Sequence, residues 1–320
     1  MNREFDLAWG NPYFLIEELV KLYPKTLFNH NIKDMIYGPN IGTEEMISHT
    51  RRVIKETMGL EYKHIIMTSG ATQGLNVTMR VLSSTHNNSV VVLDKYTYPL
   101  YNGMINKLGK NWNKVIFNEK QEFTGVKRIK LIDSPSNPFG KQYKNECDRL
   151  NTTIWDSVYH NKIYTDDLKT YPNHHVMVGS YSKLLGIAGV RIGYIATNYD
   201  DLANMFENEM LNETASISTP SQELLVDVLD NIDLGEFIKN GRKSIDYNRE
   251  EISKLEYLFN NQPVQKTGMF YCAQADKSTL KLLDKCNIRY IILEDGYIRL
   301  SLGQTNELTK NAVKTVIKEG

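Results

Sequence analysis

Lys183 lies in the run Gly179-Ser-Tyr-Ser-Lys183-Leu-Leu-Gly-Ile-Ala-Gly-Val-Arg191-Ile-Gly-Tyr194. A lysine amine attacks a carbonyl carbon to form a Schiff base only after losing its proton, which near neutral pH demands removal from water. Leu184, Leu185 and Ile187 supply that apolar setting. Ser180, Ser182 and Arg191 add hydroxyl donors and a planar guanidinium fork, a set suited to a phosphate dianion. A lysine after a strand is by itself usually a surface lysine. The specific signal is Ser-x-Ser-Lys with an arginine eight residues later inside Gly-Val-Arg-Ile-Gly.

The surrounding elements must carry this run to an edge that a ligand can reach. The middle of the chain alternates short apolar runs with helical periodicity, the pattern of a parallel α/β sheet. A helix is expected over Glu44–Met58, capped by Thr43, with Glu44 and Glu45 in its first turn and Gly59 at its exit. A strand follows at His64–Thr68, then a turn over 69–72 and a helix through Leu75 to Val81. Further strands are expected at Val90–Asp94, Ile129–Ser134, Ile163–Asp166, Val176–Gly179 and Gly193–Thr197. In open α/β sheets the ligand crevice lies at the carboxyl ends of the strands. From about residue 199 the pattern turns to long helices such as Asp233–Asn260, with short strands at Gly268–Cys272 and Tyr297–Ser301 and a helix near Asn306–Lys318. The expected fold class is α/β: a three-layer large domain on a mainly parallel sheet, over 39–200, and a smaller α+β domain over 201–320. Residues 1–38 are expected to pack with the small domain.

The Lys183 run resembles the cofactor-lysine motif of the class I and II aminotransferases, the fold-type I pyridoxal-phosphate enzymes. From Tyr37 to Arg299 the chain offers that family's other landmarks in order. The resemblance implies pyridoxal 5'-phosphate held on Lys183 as a Schiff base. Thr68-Ser-Gly-Ala-Thr-Gln-Gly-Leu75 resembles the phosphate-cradling turn, so Gly70, Ala71 and Thr72 are implied phosphate ligands. Ser180, Ser182 and Arg191 complete that set. Tyr98, in Thr97-Tyr-Pro-Leu-Tyr101, matches the tyrosine that stacks on the pyridine ring. Asn137, in Asn-Pro-Phe-Gly140, matches the amide that bonds the phenolic oxygen of the cofactor. Asp166 is similar to the aspartate that keeps the ring nitrogen protonated and the ring electron-accepting. Arg299, in Ile298-Arg-Leu-Ser-Leu-Gly303, matches the arginine that grips the substrate α-carboxylate. Tyr37 matches the tyrosine that reaches a neighbouring subunit's cofactor phosphate, which implies a homodimer with shared sites.

The implied reaction moves an amino group between an amino acid and a 2-oxo acid, and the chain looks closest to the histidinol-phosphate and aromatic branch. Decarboxylation of an amino acid and carbon–sulfur cleavage stay open as alternatives on the same residues. One departure stands out. The family commonly has Asp-Glu-x-Tyr, whereas the run here is Asp166-Asp-Leu-Lys169, without the tyrosine. Lys169 then either turns inward or points to water.

Composition limits the other classes. Lys+Arg and Asp+Glu both total 38, so no global charge draws the chain to nucleic acid or to an anionic membrane. Cys147, Cys272 and Cys286 form neither a disulfide framework nor zinc spacing, which fits a reducing, cytoplasmic setting. His174-His175 lacks a third ligand at metal spacing, and no metal is expected. No apolar run approaches the roughly 20 residues of a membrane helix.

Overall fold

The computed structural model describes residues 5–8, 10–23, 37–85, 90–108, 113–116, 128–144 and 151–320. Its first elements are a short strand β1 (Phe5–Asp6) and a helix α1 (Tyr13–Leu22). A seven-stranded sheet follows, in the spatial order β2 (His64–Thr68), β8 (Gly193–Thr197), β7 (Val176–Ser180), β6 (Asn151–Asp156), β5 (Arg128–Asp133), β3 (Val90–Leu93) and β4 (Asn113–Ile116). β4, β3, β5, β6 and β7 pair in parallel, while β8 runs against both β7 and β2. All but β8 therefore end on one edge, and β8 starts there, with Gly193 opposite both Thr68 and Ser180. Every residue of β7 and β8 is buried, as expected for strands covered on both faces.

Helix α2 (Glu44–Met58) keeps its expected bounds. Thr43 accepts from the Met46 N–H, and Gly59 closes the helix in the left-handed region, where glycine carries no steric cost. Helix α3 (Gly70–Thr85) starts five residues before the expected Leu75, because the cradle turn is itself its first turn. It packs over β7 and β8. The next helices are α4 (Leu100–Asn106), α5 (Tyr181–Leu184), α6 (Asp200–Thr214) and α7 (Thr219–Asn231). The long helix expected to Asn260 is α8 (Leu234–Ser253), followed by a separate 3₁₀ turn over Glu256–Phe259.

A small antiparallel sheet is built from β9 (Phe270–Gln274), β12 (Tyr297–Ser301) and β11 (Ile291–Ile292). Helices α9 (Lys277–Lys285) and α10 (Asn306–Glu319) accompany it, and α10 packs on α8. Strand β10 (Ile288–Arg289) takes β1 as a parallel partner, which ties the N-terminal segment to this part of the chain. Helices α6 and α7, by contrast, rest on α3 with β2 and on α2. We therefore propose a domain boundary at the α7–α8 junction rather than at 200/201.

One expected strand does not form. Over Ile163–Asp166 the backbone turns instead, because Asn161 captures it: its side-chain oxygen accepts from the Ile163 N–H at 3.0 Å and its carbonyl from the Tyr164 and Thr165 N–H groups. The strand lies earlier, at β6, whose Thr152-Thr-Ile-Trp155 run is the β-branched and aromatic stretch that suits a pleated surface.

Candidate active site

The common strand edge carries most of the expected residues. The first turn of α3, after β2, delivers Gly70, Ala71 and Thr72, the loop after β3 delivers Tyr98, the loop after β5 delivers Asn137, and α5 after β7 delivers Lys183. Arg191 precedes the reversed strand β8, and β12 of the small sheet contributes Arg299.

At the cradle, Gly70 has φ +76°, and a Cβ there would stand 2.5 Å from Arg191 Nη2, so only glycine lets the turn and the guanidinium meet. Arg191 donates through Nη2 to the Ser69 carbonyl at 3.3 Å and through Nη1 to Ala188 at 2.8 Å. Ser180 caps α5 by accepting from the Ser182 N–H at 3.1 Å, and the two serine hydroxyls are 2.9 Å apart. Burial raises the Tyr98 phenol's pKa, against the lowering effect of the neighbouring Thr72 hydroxyl and Arg191 guanidinium. These donors converge at the N-terminus of α3, where unpaired N–H groups favour an anion.

Lys183 Nζ is turned inward and donates to the Gly10 carbonyl at 2.6 Å. Burial, with Arg191 and Arg299 nearby as like charges, lowers its pKa to about 8. Arg299 is 9% exposed. It donates to Asn137 Oδ1 at 2.8 Å and to the Ala8 carbonyl at 3.0 Å, with its guanidinium 4.2 Å from the Phe270 ring centroid. Its Nε is buried with no partner among the described residues. Backbone carbonyls of the segment around 8–10 thus reach both the lysine and the arginine. No sequence signal marked that segment.

The family comparison joins this geometry. The model of aminotransferase class I and II matches residues 3–316. The chain belongs to the class I and II aminotransferases. It is therefore a transferase that moves amino groups. It is 23% identical to an aspartate aminotransferase of Pyrococcus abyssi, over 99% of this chain and 92% of that protein. It is 26% identical to a histidinol-phosphate aminotransferase of Sulfurisphaera tokodaii, over 96% and 85%. Among solved structures it is similar to an aromatic aminotransferase from Pyrococcus horikoshii, with a TM-score of 0.75 at 17% identity, covering 98% of this chain and 95% of that one.

Two expectations for this aminotransferase need correction. Asp166 is not in the cluster: its side chain is 84% exposed and ion-paired with Arg242 at 2.8 Å. The carboxylate at the strand edge is Asp156, which ends β6. It is 8% exposed, and its oxygens accept from the Tyr101 hydroxyl at 2.6 Å and the Val158 N–H at 3.1 Å. Burial pushes its carboxyl up from the usual range. The missing tyrosine is then present three residues on: Tyr159 is buried, and Arg299, Asp156 and Tyr98 all act on it electrostatically. Lys169 is exposed, and its N–H donates to Asp167. Asp156-Ser-Val-Tyr159 keeps the Asp-x-x-Tyr spacing, the one signal for it in the sequence.

Tyr37 is exposed on this chain. Both ring nitrogens of His174 have partners, Tyr62 and the Pro172 carbonyl, and His175 Nδ1 accepts from the Thr153 N–H. Cys147 lies outside the described residues. No helix among the described residues is long and apolar enough to cross a membrane.

Proposed function

We propose that this aminotransferase holds pyridoxal 5'-phosphate covalently on Lys183 and passes an amino group from an amino acid to a 2-oxo acid. The observation that carries this is the Lys183 amine itself, desolvated, held near pKa 8 and placed at the strand edge between Arg191 and Arg299.

The residues present fit the group. Its phosphate suits the α3 N-terminus with Thr72, Ser180, Ser182 and Arg191, where Gly70 leaves the space a Cβ would fill. A protonated ring nitrogen suits Asp156, a buried carboxylate that no cation pairs with among the described residues. Tyr98 offers an aromatic face, and Tyr159 with Asn137 offers donors to a phenolic oxygen. When bound, pyridoxal phosphate supplies an aldehyde carbon that takes up the amino group and a ring that accepts the electron pair of the broken Cα–H bond.

The chain's own residues do the rest. Arg299 binds the substrate carboxylate through its planar fork, and Asn137 orients that fork through the 2.8 Å bond. Lys183, displaced by the substrate amine, takes the Cα proton on its neutral Nζ and returns it on the far side of the reaction, as general base and then acid. Asp156 holds a proton on the ring nitrogen through charge. The exposure of Tyr37 supports the further proposal of a homodimer in which it reaches the partner's phosphate site.

The test is borohydride reduction of the protein loaded with pyridoxal phosphate, followed by peptide mapping. The label is expected on Lys183. A label on another lysine with Lys183 clean overturns the assignment. Product analysis with an added 2-oxo acid then reads the amino transfer directly.

A further inference from the structure

Asp133 ends β5 and is 4% exposed. Its Oδ2 accepts from the Asn137 N–H at 2.8 Å, and its Oδ1 accepts from the Thr97 hydroxyl at 3.0 Å. Thr97 precedes Tyr98 in one loop, and Asn137 belongs to another and bonds Arg299. The carboxylate therefore stands at the junction of two loops that carry Tyr98 and Asn137, the second of which bonds Arg299. No cation pairs with it among the described residues, and Asp156, of the same sign, acts on it. Burial with that neighbour holds its carboxyl up at about 7. A buried acid without a cation is costly. Its two oxygens are nevertheless the one group at that point that accepts from both loops.

We propose that Asp133 is a positioning residue of the transfer reaction, fixing the Tyr98 loop and the Asn137 loop in one register so that ring stacking and the Arg299 fork are set together. The inference rests on the roles assigned above to Tyr98, Asn137 and Arg299.

Wild type, Asp133→Leu, Asp133→Asn and Thr97→Val are each titrated with pyridoxal phosphate, and KM and kcat are measured for one amino acid and one 2-oxo acid. Asp133→Leu cuts both ties, so the cofactor dissociation constant and the amino-acid KM should each rise about tenfold, with kcat falling less. An asparagine oxygen still accepts from the Asn137 N–H while its amide donates to Thr97, so Asp133→Asn should return both values to within about threefold of wild type. Thr97→Val cuts one tie and should raise the cofactor dissociation constant about threefold.

Wild-type constants in Asp133→Leu, or Asp133→Asn impaired as badly as Asp133→Leu, overturn the proposal. If Asp133→Leu does not fold, an unchanged cofactor constant in Thr97→Val overturns it. A wild type that takes up no pyridoxal phosphate sinks the functional assignment and this inference with it. Uptake by wild type with all three variants unaffected sinks Asp133 alone.

Discussion

The Gly10 carbonyl accepts a hydrogen bond from Lys183 Nζ at 2.6 Å, joining residues 173 apart in the chain. The bond draws the amine into an apolar setting that also contains two guanidinium groups, and both effects disfavour its charge.

The first prediction concerns that amine. Its neutral form is the nucleophile, and its pKa is lowered from 10.5 to about 8. Covalent uptake of the cofactor should therefore speed up as pH rises through 8 and level off above it, when followed by stopped-flow absorbance. The cofactor-free protein should show the linked effect. The folded pKa lies below the unfolded one, so the penalty is fully present below pH 8 and fades as pH rises toward 10.5. Lys183→Met should accordingly melt higher than wild type at pH 7, with the gap closing at alkaline pH. A gap constant across that range would count against a depressed pKa.

A second prediction separates the two aspartates. Asp156→Asn removes the buried carboxylate proposed for the ring nitrogen and should lower kcat on the order of 10²-fold or more, as for a broken buried pair worth about 3–5 kcal/mol. Asp166→Asn loses only an exposed ion pair with Arg242, worth roughly 0–1 kcal/mol, and should leave kcat near wild type. The reverse order of effects would restore Asp166 to the site.

For Tyr159 the measurable quantity is the titration of the visible band of the loaded enzyme. A phenolic donor to the cofactor's oxygen favours its anionic form, so Tyr159→Phe should raise the pKa of that band. Lys169→Ala should leave the titration where it is, since Lys169 is exposed. A shift in the lysine variant and none in the tyrosine variant would reverse the assignment.

On the proposed role of Arg299, Arg299→Ala removes the fork for the substrate carboxylate and should cost about 2–4 kcal/mol in kcat/KM, with cofactor affinity much less affected. Arg299→Lys should recover only part of the loss, because an ammonium cannot make two parallel bonds. An unchanged KM in Arg299→Ala would reduce the residue to a structural role on β12.

Local chemistry made much of this legible in the sequence. Thr43 and Gly59 bound α2 because capping is decided within a few residues, and β8 and β12 have their expected limits because their apolar runs are short and bracketed by turns. The Lys183 run was readable from its spacing, and the Gly70 turn through its resemblance to the family's phosphate-cradling turn. Asp156 was not, although Asp156-Ser-Val-Tyr159 has the right spacing, because Ile163–Asp166 offers an equally strand-like run ending in an acid. Only the turn captured by Asn161 and the pairing of β6 with β5 and β7 decide between them. The tertiary structure alone brings Gly10 to Lys183, Asn137 to Arg299, and Thr97 to Asp133. Those bonds link residues 173, 162 and 36 apart, and no local propensity specifies partners that only packing brings within reach.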